Sequence, residues 1–169
     1  MAVEVPKIET PKIAGAPISW GVCEVPGWGY QLTPQRVLAE MREAGLAATE
    51  LGPAGFLPSD PDELSALLQS YGLRGVGTFA PVLLHDAGHD PLPDIAGPLA
   101  AVVASGADVL VLAAATGTDG YDSRPTLDND QWATMLGNLD RLAAAAAEKG
   151  VLAVLHLSLI HISEPTRQA

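Results

Sequence analysis

Two spacings of apolar residues alternate along this chain. From Asp130 to Lys149, Trp132, Met135, Leu136, Leu139 and Leu142 recur every three or four positions, which predicts an amphipathic helix. Four times such a helical pattern closes on a glycine and passes within a residue or two into a short apolar run. The hand-overs are Gly45 into Ala47–Leu51, Gly72 into Arg74–Ala80, Gly106 into Asp108–Ala113, and Gly150 into Val151–His156. Glycine just past a helix supplies the left-handed residue that ends it without a Cβ clash. The runs that follow, Val109-Leu110-Val111-Leu112 among them, are apolar at successive positions, as strands buried on both faces are.

The helix starts are marked as well. Thr33-Pro34 offers an N-cap followed by proline at the first helical position, and Asp60-Pro61-Asp62-Glu63 adds an acidic residue two positions later. A helix between Pro91 and Ser105 is expected to be kinked by Pro98 in its interior. With Pro17–Trp20 read as a first strand, the chain runs strand, helix, strand through five strands and four helices. Strict alternation implies a parallel α/β sheet with right-handed crossovers. Two folds fit: an open doubly wound sheet, or the N-terminal part of a (β/α)8 barrel with its strands in sequential order.

Length sharpens that choice. A full barrel needs roughly 250 residues, and the chain has 169. The formal net charge of −11 argues against nucleic acid or an anionic membrane as partner, because phosphate recognition needs clustered Lys and Arg. Cys23 is the single cysteine, so no intramolecular disulfide framework is available and a reducing cytoplasm is expected. Met1–Ala16 carries Glu4, Lys7, Glu9 and Lys12 and has no apolar run of the signal-peptide kind. The apolar stretch Val102–Val111 is interrupted by Asp108 and is far short of the ~20 residues of a membrane span.

After His156 the texture changes. Residues 157–169, Leu-Ser-Leu-Ile-His-Ile-Ser-Glu-Pro-Thr-Arg-Gln-Ala, contain no glycine and break the Ala/Gly-rich style of the preceding chain. The string is similar to translated sequencing-adapter read-through, so the native reading is expected to be lost beyond His156. The plain alternative is a genuine strand followed by a short tail. The expected division is an N-terminal extension over 1–16, a truncated barrel over 17–156, and a non-native tail over 157–169.

Particular segments carry a family resemblance. Ala16-Pro17-Ile18-Ser19-Trp20-Gly21-Val22-Cys23-Glu24, followed by Val25-Pro26-Gly27-Trp28-Gly29, resembles the first strand and loop of the sugar phosphate isomerase/epimerase family. These are xylose isomerase-like TIM barrels, and the likeness is to their inosose dehydratase-like branch. Ala48-Thr49-Glu50-Leu51-Gly52-Pro53 with Gly55-Phe56-Leu57-Pro58 resembles the second strand and loop, and Val151–His156 the fifth strand. The resemblance implies proton abstraction next to a carbonyl, leading to isomerisation, epimerisation or loss of water from a sugar or an inositol-derived ketone. It also implies a divalent metal (Mn2+, Co2+ or Mg2+) in the full-length enzyme, held by acidic and His residues of later strands. Those ligands are mostly missing from this sequence, so no metal ligand is assigned and the 169-residue chain is expected to be inactive. A homo-oligomer stays open.

Active sites of such barrels lie at the C-terminal ends of the strands. That rule selects Trp20–Glu24, Glu50–Pro53, Thr78–Pro81, Ala113–Thr116 and His156. Glu50 is the catalytic candidate, since a carboxylate at an apolar strand end is costly to bury without a role; a salt bridge to an arginine is the structural alternative. Trp20, Glu50 and His156 are the candidate substrate-binding residues. Trp20 offers an apolar platform for a sugar ring and His156 a polar end to an apolar strand, against core packing for either. Trp28 and Tyr30 read as part of a loop over the site or as packing.

Other signals carry less. Cys23 has no basic neighbour to lower its pKa and reads as an inert thiol. His85 and His89, with Asp86 and Asp90, superficially suggest a metal clip, but Gly88, Pro91 and Pro93 make the segment a loop, expected to be exposed and polar. Gly75-Val76-Gly77-Thr78-Phe79-Ala80 matches a dinucleotide fingerprint in letters only, because Pro81 follows where a helix should open. Asp119, Asp122, Asp128 and Asp130 are too irregular for a calcium loop. Three functions compete: the sugar or polyol-ketone isomerase, epimerase or dehydratase; a non-catalytic open α/β domain that binds a small ligand; and a barrel nuclease, which the charge disfavours.

Overall fold

A computed structural model describes residues 13–23, 25, 27–118 and 125–156. Four strands, β1 (Ala48–Glu50), β2 (Arg74–Val82), β3 (Val109–Ala114) and β4 (Leu152–Leu155), alternate with four helices. The helices are α1 (Pro34–Glu43), α2 (Pro61–Ser70), α3 (Leu92–Ala104) and α4 (Asn129–Ala147). All strand pairs are parallel and the order is β1-β2-β3-β4. A doubly wound sheet reverses direction and places its first strand internally; the sequential order is that of a barrel wall.

The expected first strand is the main departure. Pro17–Trp20 is a 3-10 turn, and only Gly15 pairs with the sheet, through Gly15 N–H to Ala48 O and Glu50 N–H to Gly15 O. Pro17 explains the change. Its fixed φ and missing donor suit the opening of a helical turn, and Gly21 closes that turn at φ 78°. The described residues therefore hold four strands and this single bridge where five strands were expected.

Of the helix-end chemistry expected from sequence, the glycine exits and the Asp60 cap are present, whereas Thr33 precedes α1 without a side-chain cap bond. Gly45, Gly72, Gly106 and Gly150 all lie at positive φ just past their helices. The Asp60 carboxylate accepts from the Asp62 and Glu63 amides, and Asp128 with Gln131 forms a capping box on α4. β2 runs past the predicted stop to Val82. Past its bulge, Gly77 O of this strand accepts from Leu51 N–H on the β1 side and Val82 O from Ala115 N–H on the β3 side, but β1 ends at Glu50. Pro81 thus sits where its missing N–H has no strand to meet, an edge position within a central strand.

Helices cover one face of the sheet. Ala80, Val82, Leu110, Leu112 and Ala114 of the strands mesh with Ile95, Leu99 and Val102 of α3 and with Met135 and Leu142 of α4. A second cluster joins Val37, Leu38 and Met41 of α1 to Leu64 and Leu68 of α2 beneath Leu51 and Leu73. Each buried Val, Leu, Ile or Met side chain among these contributes about 1.5–3 kcal/mol. On the opposite face the alternate residues Phe79, Val111 and Val154 are only partly covered. Of the expected divisions, residues 1–12 and the tail 157–169 lie outside the described residues.

Candidate functional site

The strand register assigns Glu50 to a face. Thr49 and Leu51 are buried, Leu51 in the cluster under α1 and α2, so Glu50 between them points to the uncovered face. Glu50 pairs with Gly77, and Gly77 in turn lies beside Val109. Gly77 allows that approach, since a Cβ there would fall 2.9 Å from Val109 O. A one-residue bulge on β2 between the partners of Thr49 and Glu50 sets this phase. Glu50 is half-buried and ends β1, as a barrel-mouth carboxylate should.

His156 follows β4 directly. Its amide donates to Leu112 O at 2.8 Å, and its ring meets Phe79 edge to face with centroids 5.5 Å apart. Phe79 reaches it across β3. The Phe79–His156 pair is therefore on the same uncovered face as Glu50. It is not beside Glu50: three strand spacings of ~4.8 Å and several residues of ~3.3 Å rise separate them along the sheet.

Trp20 is placed elsewhere. It ends the 3-10 turn and not a strand, and its indole Nε1–H donates to Glu40 Oε2 of α1 at 2.9 Å. It packs against the cluster of Val37, Leu38 and Met41. Arg36 also binds Glu40, at 2.8 Å, and these two donors hold the Glu40 carboxyl below its usual range. The structure thus brings Glu50 and His156 to one face and sets Trp20 against α1. Trp28 and Tyr30 are exposed in the following loop, where the Gln31 amide donates to Trp28 O and Cys23 O.

The loop after β2 corrects one expectation. His85 is not an exposed loop residue; it is 9% exposed, and its Nδ1 has no hydrogen-bond partner. Leaving a buried polar atom unpaired costs about 1–3 kcal/mol. His85 lines a cleft of about 460 Å3 at the C-terminal ends of β2 and β3, with Asp86, Thr116, Thr118, Asp128 and Gln131 among its walls. His89 turns away to Asp94, 2.7 Å from its Nε2, and Asp90 pairs with Arg141, which lowers the Asp90 pKa. The two histidines therefore form no clip. Among the described residues no group of three or more His, Cys, Asp or Glu side chains is placed to hold a metal ion.

The sequence expectation of an exposed loop at His85 rests on Gly88, Pro91 and Pro93. A contrary signal was present: Ala80, Val82 and Leu84 keep a period of two across Pro81 and all are buried. Asn138 of α4 was missed too. It donates to Leu84 O at 2.9 Å from a buried position and so fastens the segment just before His85 to α4.

Comparison with known proteins bears out the family resemblance. No family model matches the chain. The inosose dehydratase of Geobacillus kaustophilus is 29% identical over 155 residues, covering 86% of this chain and 50% of that protein. The rhizopine catabolism protein MocC of Rhizobium meliloti is 30% identical over 152 residues, covering 86% and 46%. The chain thus spans about half the length of the curated relatives it matches. Among solved structures, 3-keto-D-glucoside 4-epimerase from E. coli superposes with a TM-score of 0.64 at 18% identity, over 90% of this chain and 58% of that one. A family 2 AP endonuclease from Brucella melitensis gives 0.64 at 17%, over 86% and 55%. A xylose isomerase-like TIM barrel protein from Mycobacterium smegmatis, in complex with magnesium, gives 0.59 at 18%, over 85% and 54%. At these identities the structures show the fold alone: the wall of a xylose isomerase-like barrel. Among the described residues no helix is long and apolar enough to cross a membrane.

Proposed function

We propose that this chain is the N-terminal half of an inosose dehydratase-like enzyme that removes a proton next to the carbonyl of a sugar or inositol-derived ketone. The observation that carries the proposal is the similarity to an inosose dehydratase over 155 residues, which includes the strand end bearing Glu50. Proton abstraction at such a carbon needs a base within reach and a positive group to stabilise the enolate. Glu50 is the base, or the acceptor of a substrate hydroxyl, on the uncovered face. The half-covered Phe79 and the exposed His156 supply an apolar wall with a polar rim for the rest of the ring.

The enolate-stabilising group in the parent protein is a divalent metal. The described residues do not fit one, for they bring together no set of three ligands. Such ligands are expected on later strands, as the resemblance implies.

A chimaera tests the reading. Residues 13–156 are joined to the C-terminal half of the Geobacillus relative and assayed for loss of water from inosose with Mn2+ added. Turnover is expected from the chimaera, with a fall of ~10²–10⁴ in Glu50→Gln, the usual range for a general base. A folded chimaera without turnover on inosose or on a ketose would sink the reaction, and an unimpaired Glu50→Gln chimaera would remove Glu50 from it.

A further inference from the structure

We infer that the cleft at His85 is a binding subsite for an uncharged, hydroxyl-rich ligand, with the His85 imidazole as the group that reads one ligand hydroxyl. The inference rests on the proposed function for the identity of that ligand, a neutral sugar or cyclitol, and on separate observations for the site. His85 is buried, lines the cleft and has a ring nitrogen without a partner. A neutral imidazole offers one donor and one acceptor, so a hydroxyl, which both gives and takes a hydrogen bond, satisfies either tautomer. The cleft lies at the C-terminal ends of β2 and β3, the face on which barrel ligands bind.

The remaining walls select against charge. The Thr116 hydroxyl lines the cleft in long hydrogen bonds of 3.1–3.4 Å with Thr118 that a ligand hydroxyl can replace, and Asp86 and Asp128 offer carboxylate oxygens beyond those already taken by the Gly88 and Gln131 amides. Among the described lining residues none is Lys or Arg, so a phosphate or carboxylate group would meet carboxylates and no counter-charge. The same lining favours a polyol, whose hydroxyls donate to carboxylates and exchange hydrogen bonds with threonine. The Gly117 backbone closes over the ring, a Cβ there falling 3.9 Å from His85 Cε1 and only 2.9 Å from Leu83. With φ at +69°, Gly117 is the residue type that allows this approach.

The experiment uses the 169-residue chain with inosose, D-allulose and D-allulose 6-phosphate as probes. The ring nitrogens of His85 are followed by 15N–1H correlation spectroscopy, and affinity by calorimetry. The two neutral probes are expected to shift the His85 ring resonances and the phosphorylated one to bind at least tenfold more weakly. His85→Phe and Thr116→Val are each expected to weaken the neutral probes at least tenfold while the circular dichroism of the chain is kept. Should His85→Phe fail to fold, the wild-type ring shifts and Thr116→Val still decide. Unchanged ring resonances at saturating inosose and D-allulose, or equal binding of the phosphorylated probe, would overturn the inference. Its failure is separable from that of the reaction. An active chimaera whose KM ignores His85→Phe removes the subsite alone, whereas ring shifts in a chain whose chimaera is inert remove the reaction alone.

Discussion

Glu40 ties the loop entering the sheet to α1 through a single carboxylate, which accepts from Arg36 and from the Trp20 indole. Both hydrogen bonds favour the ionised form and hold its pKa below the ordinary 4.5, Arg36 contributing most. A depressed carboxyl pKa stabilises the fold above the unfolded value, and that contribution disappears as pH falls through the folded one. Between about pH 7 and about pH 3, spanning the carboxylate range, the Trp20 indole N–H resonance is therefore expected to move toward its solvent-exposed position, and Glu40→Gln to abolish that titration. A resonance that stays fixed would mean the indole is held by packing alone. The glycines of β2 show a different residue-scale constraint. A Cβ on Gly75 would overlap the Ser105 side chain, whose hydroxyl donates to Val102 O. Gly75→Ala is expected to destabilise by about 1–3 kcal/mol in urea unfolding, as overpacking does; an unchanged midpoint would show that Ser105 can swing aside. The sequence reading declines Gly75 and Gly77 as nucleotide-binding residues from the following Pro81. Their actual reason, close approach of α3's C-terminus and of Val109, depends on tertiary contact and has no local signature.

At the scale of elements, what could be read locally was read well. Proline at the first position of α1 and α2, acidic caps and glycine exits are decided within a few residues, and all three mark observed helix ends. What failed depended on neighbours. Pro17–Trp20 looks like a strand in its apolar letters but lacks partners beyond Gly15, and Pro81 looks like a strand end but lies where no partner is needed. Pro98 lies inside α3, which runs as one helix from Leu92 to Ala104. It nevertheless gives up the amide that would bond to the carbonyl of Asp94, four residues earlier. Pro98→Ala restores that donor and removes a residue ~3 kcal/mol poorer than alanine in a helix interior. Packing and unfolded-state effects offset part of this difference, so a rise of about 1–2 kcal/mol in unfolding free energy is expected. Loss of stability would show that the ring of Pro98 packs better than an alanine can.

For the whole molecule, alternation and handedness left a doubly wound sheet and a barrel wall open, and the family resemblance selected the sequential order β1-β2-β3-β4 that the sheet has. The convergence of the site was not legible, since the depth of each strand end along the sheet depends on register. That is why Glu50 and His156 share a face without touching. The same architecture sets the behaviour of a protein made of these 169 residues. Its helices cover one face, while Phe79, Val111 and Val154 on the other are half-covered, Leu152 on β4 is 63% exposed and Ile18 is 64% exposed. In a closed barrel that inner face is filled by layers of side chains from the other strands. Each large apolar side chain left wet forgoes about 1.5–3 kcal/mol, against a total of about 5–15 kcal/mol for a domain. Apolar strands with an open edge also recruit further strands. The purified chain is therefore expected to self-associate in size-exclusion chromatography and to show no turnover of inosose with Mn2+ added. Leu152→Lys, which sets a charge on β4, is expected to shift the profile toward monomer. A sharp monomer peak with metal-dependent turnover would show that these strands complete a site without a second half.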